Sequence, residues 1–104
     1  MSTFDDRENA FEAKFAHDAD MAFKAAARRN KQVGAWAAEK LGLTGDAVAA
    51  YQMAVISADF EEEGDDDVVR KLVKDLDGKA SEAEIRAKMA SAMIEVKDKM
   101  LREG

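Results

Sequence analysis

Hydrophobic residues recur along this chain at helical spacing, and no stretch shows the strict alternation typical of a half-buried strand. Glycines divide the chain into four segments, with Gly42 and Gly45 after the first, Gly64 after the second and Gly78 after the third. Glycine is common just past a helix end, because the left-handed conformation needed there costs it little. The pattern therefore predicts four helices, over Asp5–Leu41, Thr44–Glu63, Asp65–Asp77 and Ser81–Arg102.

Each break is followed by residues that favour a helix start. Thr44 is the predicted N-cap of the second helix and Asp65 that of the third. Ser81 and Glu84 have the spacing of a capping box, in which each side chain accepts a hydrogen bond from the other residue's backbone N–H. Short turns between consecutive helices favour antiparallel neighbours, so the sequence predicts an all-α protein, a small four-helix bundle.

The predicted core residues lie on one stripe of each helix. In the first helix they are Phe23, Ala26, Ala27, Val33, Gly34, Ala37 and Leu41, and in the second Val48, Tyr51, Val55, Ile56 and Phe60. In the third they are Val69, Leu72, Val73 and Leu76, and in the fourth Ile85, Met89, Met93, Val96 and Met100. Trp36 lies between Val33 and Ala37 and is predicted to belong to the core.

The apolar stripe of the first predicted helix does not stay on one side of the helix along its length. Phe4, Phe11 and Phe15 fall within a sector roughly 40° wide, and the later apolar stripe is rotated from it by very roughly 80°. The junction lies near His17–Asp20. One interpretation is a single bent helix that packs on the bundle throughout. The other is an arm, residues 1–17, that is mobile in the free protein and docks its phenylalanines in a partner's groove, with the bundle formed by residues 18–104.

Composition narrows the possible functions. The net charge of −6 argues against nucleic acid as a partner, since phosphate binding needs a positive face. Without cysteine the chain has no disulfide and no thiolate metal site. No apolar run approaches the roughly 20 residues of a membrane span, and the N-terminus lacks the features of a signal peptide. We therefore expect a cytoplasmic protein that does not insert into the membrane.

Several blocks of this sequence, in order and at the right spacing, resemble a known family. They are Phe4-Asp5-Asp6-Arg7-Glu8, Ala10 to Asp18, Phe23-Lys24, Ala27 to Lys31, Trp36 to Leu43, and Ala58 to Glu62 with Gly64-Asp65. The chain is similar, from Thr3 to about Gly78, to the zeta inhibitor subunit of alphaproteobacterial F-type ATP synthases.

The resemblance implies a four-helix bundle with a mobile N-terminal helical arm. It also implies binding to the alpha, beta and gamma subunits of the synthase on the cytoplasmic face of the membrane, with ATP hydrolysis blocked. The residues that it assigns to partner binding are Phe4, Asp5, Asp6, Arg7, Glu8, Phe11, Glu12, Lys14 and Phe15. The free protein is expected to be a monomer. The alternative is a non-inhibitory helical adaptor or assembly factor of the same complex, with or without weak nucleotide binding.

Other candidate sites are less specific. Lys24, Arg28 and Lys31 share a helix face with Arg29 beside them. We interpret them as a solvated face or as ion pairs within the bundle; contacts to a nucleotide phosphate or docking to an acidic subunit surface are the alternatives. His17 is interpreted as a surface or capping residue, with a pH-sensitive hinge as the alternative.

No metal site, cofactor or enzymatic activity is expected. The acidic run from Glu61 to Asp67 lacks the ligand spacing of a calcium loop. The sequence shows no nucleophile–base pair, no set of metal ligands and no cofactor motif.

Overall fold

The computed structural model describes residues 18–59 and 65–103, together with positions 10 and 13. Within these residues the chain forms four helices: α1 (Ala19–Lys40), α2 (Asp46–Ala58), α3 (Asp66–Asp75) and α4 (Glu82–Glu103). Helix α1 packs on α2 and α4, and α3 packs on the same two helices. The prediction of an all-α, four-helix fold is confirmed.

Helix α1 begins at Ala19, where Asp18 is its N-cap. The backbone of Asp18 is extended (φ −103°, ψ 96°), and its carboxylate accepts a hydrogen bond of 3.1 Å from the Met21 N–H. The prediction of one continuous helix from Asp5 to Leu41 is therefore wrong at this point. The predicted junction at His17–Asp20 coincides with this cap. Ala10 and Ala13, on the other side of it, are helical and exposed.

Two of the predicted helix ends follow the sequence signals closely. At the end of α1, Gly42 has a positive φ of 76°, and the Leu43 N–H reaches back to the Ala38 carbonyl at 2.9 Å. This six-to-one bond is the mark of a Schellman motif. At the start of α4, the Ser81 Oγ accepts from the Glu84 N–H at 3.1 Å, and the Glu84 carboxylate accepts from the Ser81 N–H at 3.2 Å. The predicted capping box is confirmed.

One predicted N-cap is wrong, and another is in place without the expected capping hydrogen bond. The N-cap of α2 is Gly45 (φ 60°), which has no side chain to cap with, and Thr44 lies one residue before it. Asp65 does occupy the N-cap position of α3 but makes no capping hydrogen bond. Its carboxylate is engaged instead in an ion pair of 2.9 Å with Arg29. A charged partner on another helix has displaced the local interaction.

The core consists of two clusters of buried side chains. The larger lies among all four helices and contains Val33, Ala37, Val55, Val68, Val69, Leu72, Leu76, Ile85, Met89 and Ala92. The smaller joins the first half of α1 to the end of α4 and contains Ala25, Val96 and Met100, with Met21, Met93 and Leu101 packed against it. Every buried side-chain nitrogen or oxygen in the described part of the chain has a hydrogen-bond partner.

Some predicted core positions lie elsewhere. Phe23 is 54% exposed and Val73 is 38% exposed, whereas Ala25 and Val68 are buried. The buried stripe is shifted in α1 and α3, because tertiary packing as well as local pattern fixes the helix phase. In α4, Ile85, Met89, Val96 and Met100 are buried as predicted. Trp36 is half-buried at the border of the larger cluster, with the Lys40 ammonium 5.1 Å from its ring centre. Phe60 lies outside the described residues.

Helices α1 and α2 approach each other closely at Gly34. A Cβ atom at this position would lie 2.9 Å from the Cα of Gln52 and 3.3 Å from its Cγ. Backbone cannot move aside as a flexible side-chain end can, so the glycine permits the contact. Gln52 also donates a hydrogen bond of 2.9 Å to the Lys31 carbonyl across the same interface.

We expect Gly34→Ala to destabilise the bundle by up to about 2 kcal/mol. Forcing an extra group into a packed interface usually costs about 1–3 kcal/mol, and the higher helix propensity of alanine offsets about 1 kcal/mol of this. The sign of the change in unfolding free energy is informative, because replacing glycine with alanine inside a helix would by helix propensity alone stabilise the protein by about 1 kcal/mol. Chemical denaturation would measure the change. Ala22→Gly, at an exposed position of α1, is the control and should show the propensity effect alone. A Gly34→Ala variant more stable than the wild type would contradict the close approach.

Candidate functional site

The residues that the family resemblance assigns to partner binding precede α1. Phe4, Asp5, Asp6, Arg7, Glu8, Phe11, Glu12, Lys14 and Phe15, and the junction residue His17, lie outside the described residues. The structure does show where their segment joins the bundle, at the Asp18 cap. From there the described helices continue with their own core, in which Met21 is the first contributor along the chain. This attachment point and the bundle surface around it are the parts of the site that the described residues form.

Arg29 forms the centre of a buried polar network, the Arg29 clamp, with Asn30, Asp59 and Asp65. Its side chain is 3% exposed. The guanidinium donates to Asn30 Oδ1 at 3.0 Å, pairs with Asp65 Oδ2 at 2.9 Å and lies 3.5 Å from Asp59 Oδ2. Asn30 donates to the same Asp59 oxygen at 2.9 Å. The clamp thus attaches the end of α2 and the start of α3 to the middle of α1.

The four basic residues that the sequence analysis placed together on α1 differ in burial in the structure. Arg29 points inward, and its guanidinium is engaged by the clamp. Arg28 is exposed and pairs with Glu103 of α4 at 2.9 Å. Lys24 and Lys31 are exposed on the same side of α1 as Arg28. The ion pairs within the bundle that the sequence favoured are present for both arginines. The proposed phosphate contacts of Lys24, Arg28, Arg29 and Lys31 stay a prediction.

A second polar network, which sequence reasoning missed, joins α2 to α3. The Tyr51 hydroxyl donates to Asp75 Oδ2 at 2.8 Å, and Lys71 Nζ donates to the same oxygen at 2.9 Å. Lys71 also lies over the Tyr51 ring, 5.2 Å from its centre. The i, i+4 spacing of Lys71 and Asp75 was visible in the sequence, but the partner tyrosine, on another helix, was not.

The surroundings of this network shift the pKa values of both Tyr51 and Asp75. Burial raises the pKa of Tyr51 well above its ordinary value, and the hydrogen bond to Asp75 and that residue's negative charge raise it further. Burial by itself would raise the pKa of Asp75. The hydrogen bonds from Lys71 and Tyr51, with the charges of Lys71 and Lys74, outweigh it and lower the pKa.

We expect Tyr51 to stay protonated in the folded protein beyond about pH 10, where an ordinary tyrosine ionises. A raised folded-state pKa favours folding below the unfolded pKa, and this contribution is lost as the pH rises through the folded value. Stability should therefore fall above about pH 10. Tyr51 is the only tyrosine, so ultraviolet absorbance of the phenolate reports it directly. Asp75→Asn should lower the pKa of Tyr51; an ordinary titration in the wild type would contradict the network.

The described residues contain no cluster of three or more His, Cys, Asp or Glu side chains placed to hold a metal ion. In the same part of the chain, no helix combines the length and the apolar character needed to cross a bilayer.

Fold and surface together define a small helical-bundle protein with an N-terminal segment set apart by a helix cap. The profile of the family described as "ATPase inhibitor subunit zeta" matches residues 1–99, and the chain belongs to this family. A protein of known solution NMR structure is 52% identical to this chain, with the alignment covering 81% of this chain and 99% of the other, at a TM-score of 0.73. No similar sequence was found among curated proteins.

Membership in this family identifies the general role of the chain. It is a regulatory, non-catalytic type of subunit with an inhibitor role toward ATP synthase. The family also implies that the protein interacts with that enzyme.

Proposed function

We propose that the protein binds the catalytic sector of F-type ATP synthase through residues 4–16 and blocks rotation in the direction of ATP hydrolysis. The observation that carries the proposal is the family match, which begins at residue 1 and therefore includes the arm. In this proposal the arm inserts at an interface of the alpha and beta subunits and reaches the gamma subunit. The complex forms on the cytoplasmic face of the membrane.

The Asp18 cap supports a model in which the arm binds the partner and the bundle folds without the arm. A helix that begins at Ala19 with its own cap does not need the preceding residues in order to form. The two described hydrophobic clusters draw on residues from Met21 to Leu101. An arm that is mobile in the free protein and orders on its partner would therefore contribute to the complex without being required by the fold.

The phenylalanine spacing supports the same proposal. Phe4, Phe11 and Phe15 would lie on one narrow face of a helical arm, within roughly 40°. Such a stripe is too narrow for a helix that covers a globular core, which usually needs at least about 100°. It suits the helix-in-groove mode, in which a few aromatic anchors enter pockets while the polar residues between them set register.

Adding the protein to the isolated catalytic sector of the ATPase tests the proposal. We expect ATP hydrolysis to fall in a saturable manner, whereas ATP synthesis by energised membrane vesicles is largely spared. Binding without loss of hydrolysis would instead support the adaptor or assembly-factor alternative. Equal loss of synthesis and hydrolysis would contradict the proposed direction of the block.

A further inference from the structure

Charge is distributed unevenly along this acidic protein. Helix α1 carries five basic and two acidic residues, a net charge of +3 within a chain of net charge −6. The stretch 59–65 carries five acidic residues and no basic one. Helices α3 and α4 each contain equal numbers of acidic and basic residues. The first helix is thus the one described helix with a positive balance.

The exposed part of this positive charge forms a ridge on one side of the bundle. Lys24, Arg28 and Lys31 fall within about 60° around α1. Arg28 and Lys31 line a groove of about 590 Å³ between α1 and α4, to which Lys99 contributes from the other side. We call these four residues the basic ridge.

Neighbouring acids neutralise only part of the ridge. Glu103 pairs with Arg28, and Glu95, in the same groove, accepts a hydrogen bond of 2.6 Å from Gln32. Lys24, Lys31 and Lys99 are exposed, and none of them has an ion-pair partner among the residues that the structure describes. The ridge therefore keeps a surplus of positive charge facing solvent.

The ridge also lies close to the point where the arm joins. Lys24 is six residues after Asp18 on a helix rising 1.5 Å per residue, hence about 9 Å along the axis from the cap. Phe15, an arm anchor in the proposed function, precedes the cap by only three residues. Those three residues span at most about 11 Å, so Phe15 is held within roughly 20 Å of Lys24. A partner surface that extends past the cap therefore reaches the start of the ridge.

We propose that the basic ridge docks on an acidic patch of the ATPase surface beside the site where the arm inserts. This inference rests on the proposed function and adds to it a second contact, made by the folded bundle. An extended anionic surface, such as a membrane or nucleic acid, would also repel the acidic 59–65 stretch and the acidic arm. A local acidic patch on a protein attracts the ridge alone and so orients the bundle.

Charge reversal of the ridge tests the inference. Full-length Lys24→Glu/Lys31→Glu is compared with Lys74→Glu/Lys79→Glu, which places the same net charge at exposed positions of α3 and the turn after it. Binding to the immobilised catalytic sector is measured between roughly 50 and 300 mM salt, a range over which screening of exposed charges changes strongly. Lys24→Gln/Lys31→Gln serves as a milder pair, and thermal melting verifies that each variant is folded.

We expect the ridge reversal to slow association by roughly tenfold and to flatten its salt dependence, since complementary charges act mainly on the association rate. The glutamine pair should show a smaller effect in the same direction, and the control pair should stay within about twofold. Equal effects of ridge and control pairs would mean that net charge alone acts, and would overturn the inference. So would stronger ridge-dependent binding to vesicles containing anionic lipid than to the ATPase.

The two proposals fail in different ways. If the wild type inhibits hydrolysis and the ridge variant binds as the control does, the ridge inference alone is wrong. If the wild type binds without inhibiting, the proposed function is wrong, whereas the binding rates still decide whether the ridge contributes.

Discussion

Replacing Phe11 and Phe15 together with alanine is expected to abolish inhibition of ATP hydrolysis while leaving the thermal unfolding of the bundle unchanged. The two side chains are the proposed anchors of the arm, and aromatic anchors in a desolvated groove commonly contribute at least about 2 kcal/mol each to binding. Losing both should weaken binding on the order of a thousandfold. The described cap and core clusters, in contrast, are built from residues between Asp18 and Leu101.

Hydrolysis assays over a range of inhibitor concentrations, with calorimetry of the free protein, would measure the two effects separately. Phe23→Ala is the matched control, because it removes the same side chain from an exposed position of α1. It should retain inhibition. Deleting residues 1–16 should reproduce the double variant, and the arm peptide alone should inhibit weakly because it lacks the rest of the protein that helps to hold it at its site.

Two results would contradict this model. A truncated bundle that inhibits as well as the intact protein would place the inhibitory surface on the helices. A large drop in melting temperature for the double variant would show that the phenylalanines belong to the fold of the free protein.

The local signals in this sequence predicted the helix ends where the partners are close in the chain. Ser81 and Glu84 cap as expected because both are within one turn of the same helix start. Gly42 ends α1 because only a residue tolerant of positive φ suits that position. The change of stripe near His17 marked the true beginning of α1. These features depend on backbone geometry and on neighbours three to five residues away.

Features that depend on distant partners could not be predicted in this way. Arg29 resembles its neighbours Arg28 and Lys31 in sequence, yet it alone is buried, because Asp59 and Asp65 flank the α2–α3 connection and meet it. Tyr51 was assigned to the core stripe, but its hydroxyl reaches Asp75. Both cases require the packing of α1, α2 and α3 to be known. The arm contacts depend on another protein altogether and stay a prediction.

Substituting Arg29 with methionine is expected to destabilise the bundle by about 3 kcal/mol, whereas the same change at Arg28 should cost under about 1 kcal/mol. Both residues are arginines of α1 with acidic partners, but their surroundings differ. The Arg28–Glu103 pair is exposed on both sides, at 43% and 45%. The Arg29 side chain is 3% exposed, and its partner Asp59 is 16% exposed.

The expected loss of stability is large because methionine cannot donate hydrogen bonds to the buried polar groups that Arg29 contacts. Asn30 Oδ1 loses its donor, and the Asp59 carboxylate keeps only the Asn30 amide at 2.9 Å in a poorly solvated position. Asp65 is 55% exposed and can be rehydrated, so the cost stays at the low end of the roughly 3–5 kcal/mol typical of a broken buried pair. For a domain of about 100 residues this corresponds to a fall in melting temperature of at least about 12 °C.

Arg29→Lys separates charge from geometry. Lysine retains the positive charge but lacks the planar fork that allows arginine to contact Asn30, Asp59 and Asp65 at once, so we expect a loss intermediate between wild type and methionine. Chemical denaturation of the four proteins would decide the order. If Arg29→Met proves as mild as Arg28→Met, the buried clamp does not hold α2 and α3 to α1. The apolar clusters would then account for the packing of these helices without it.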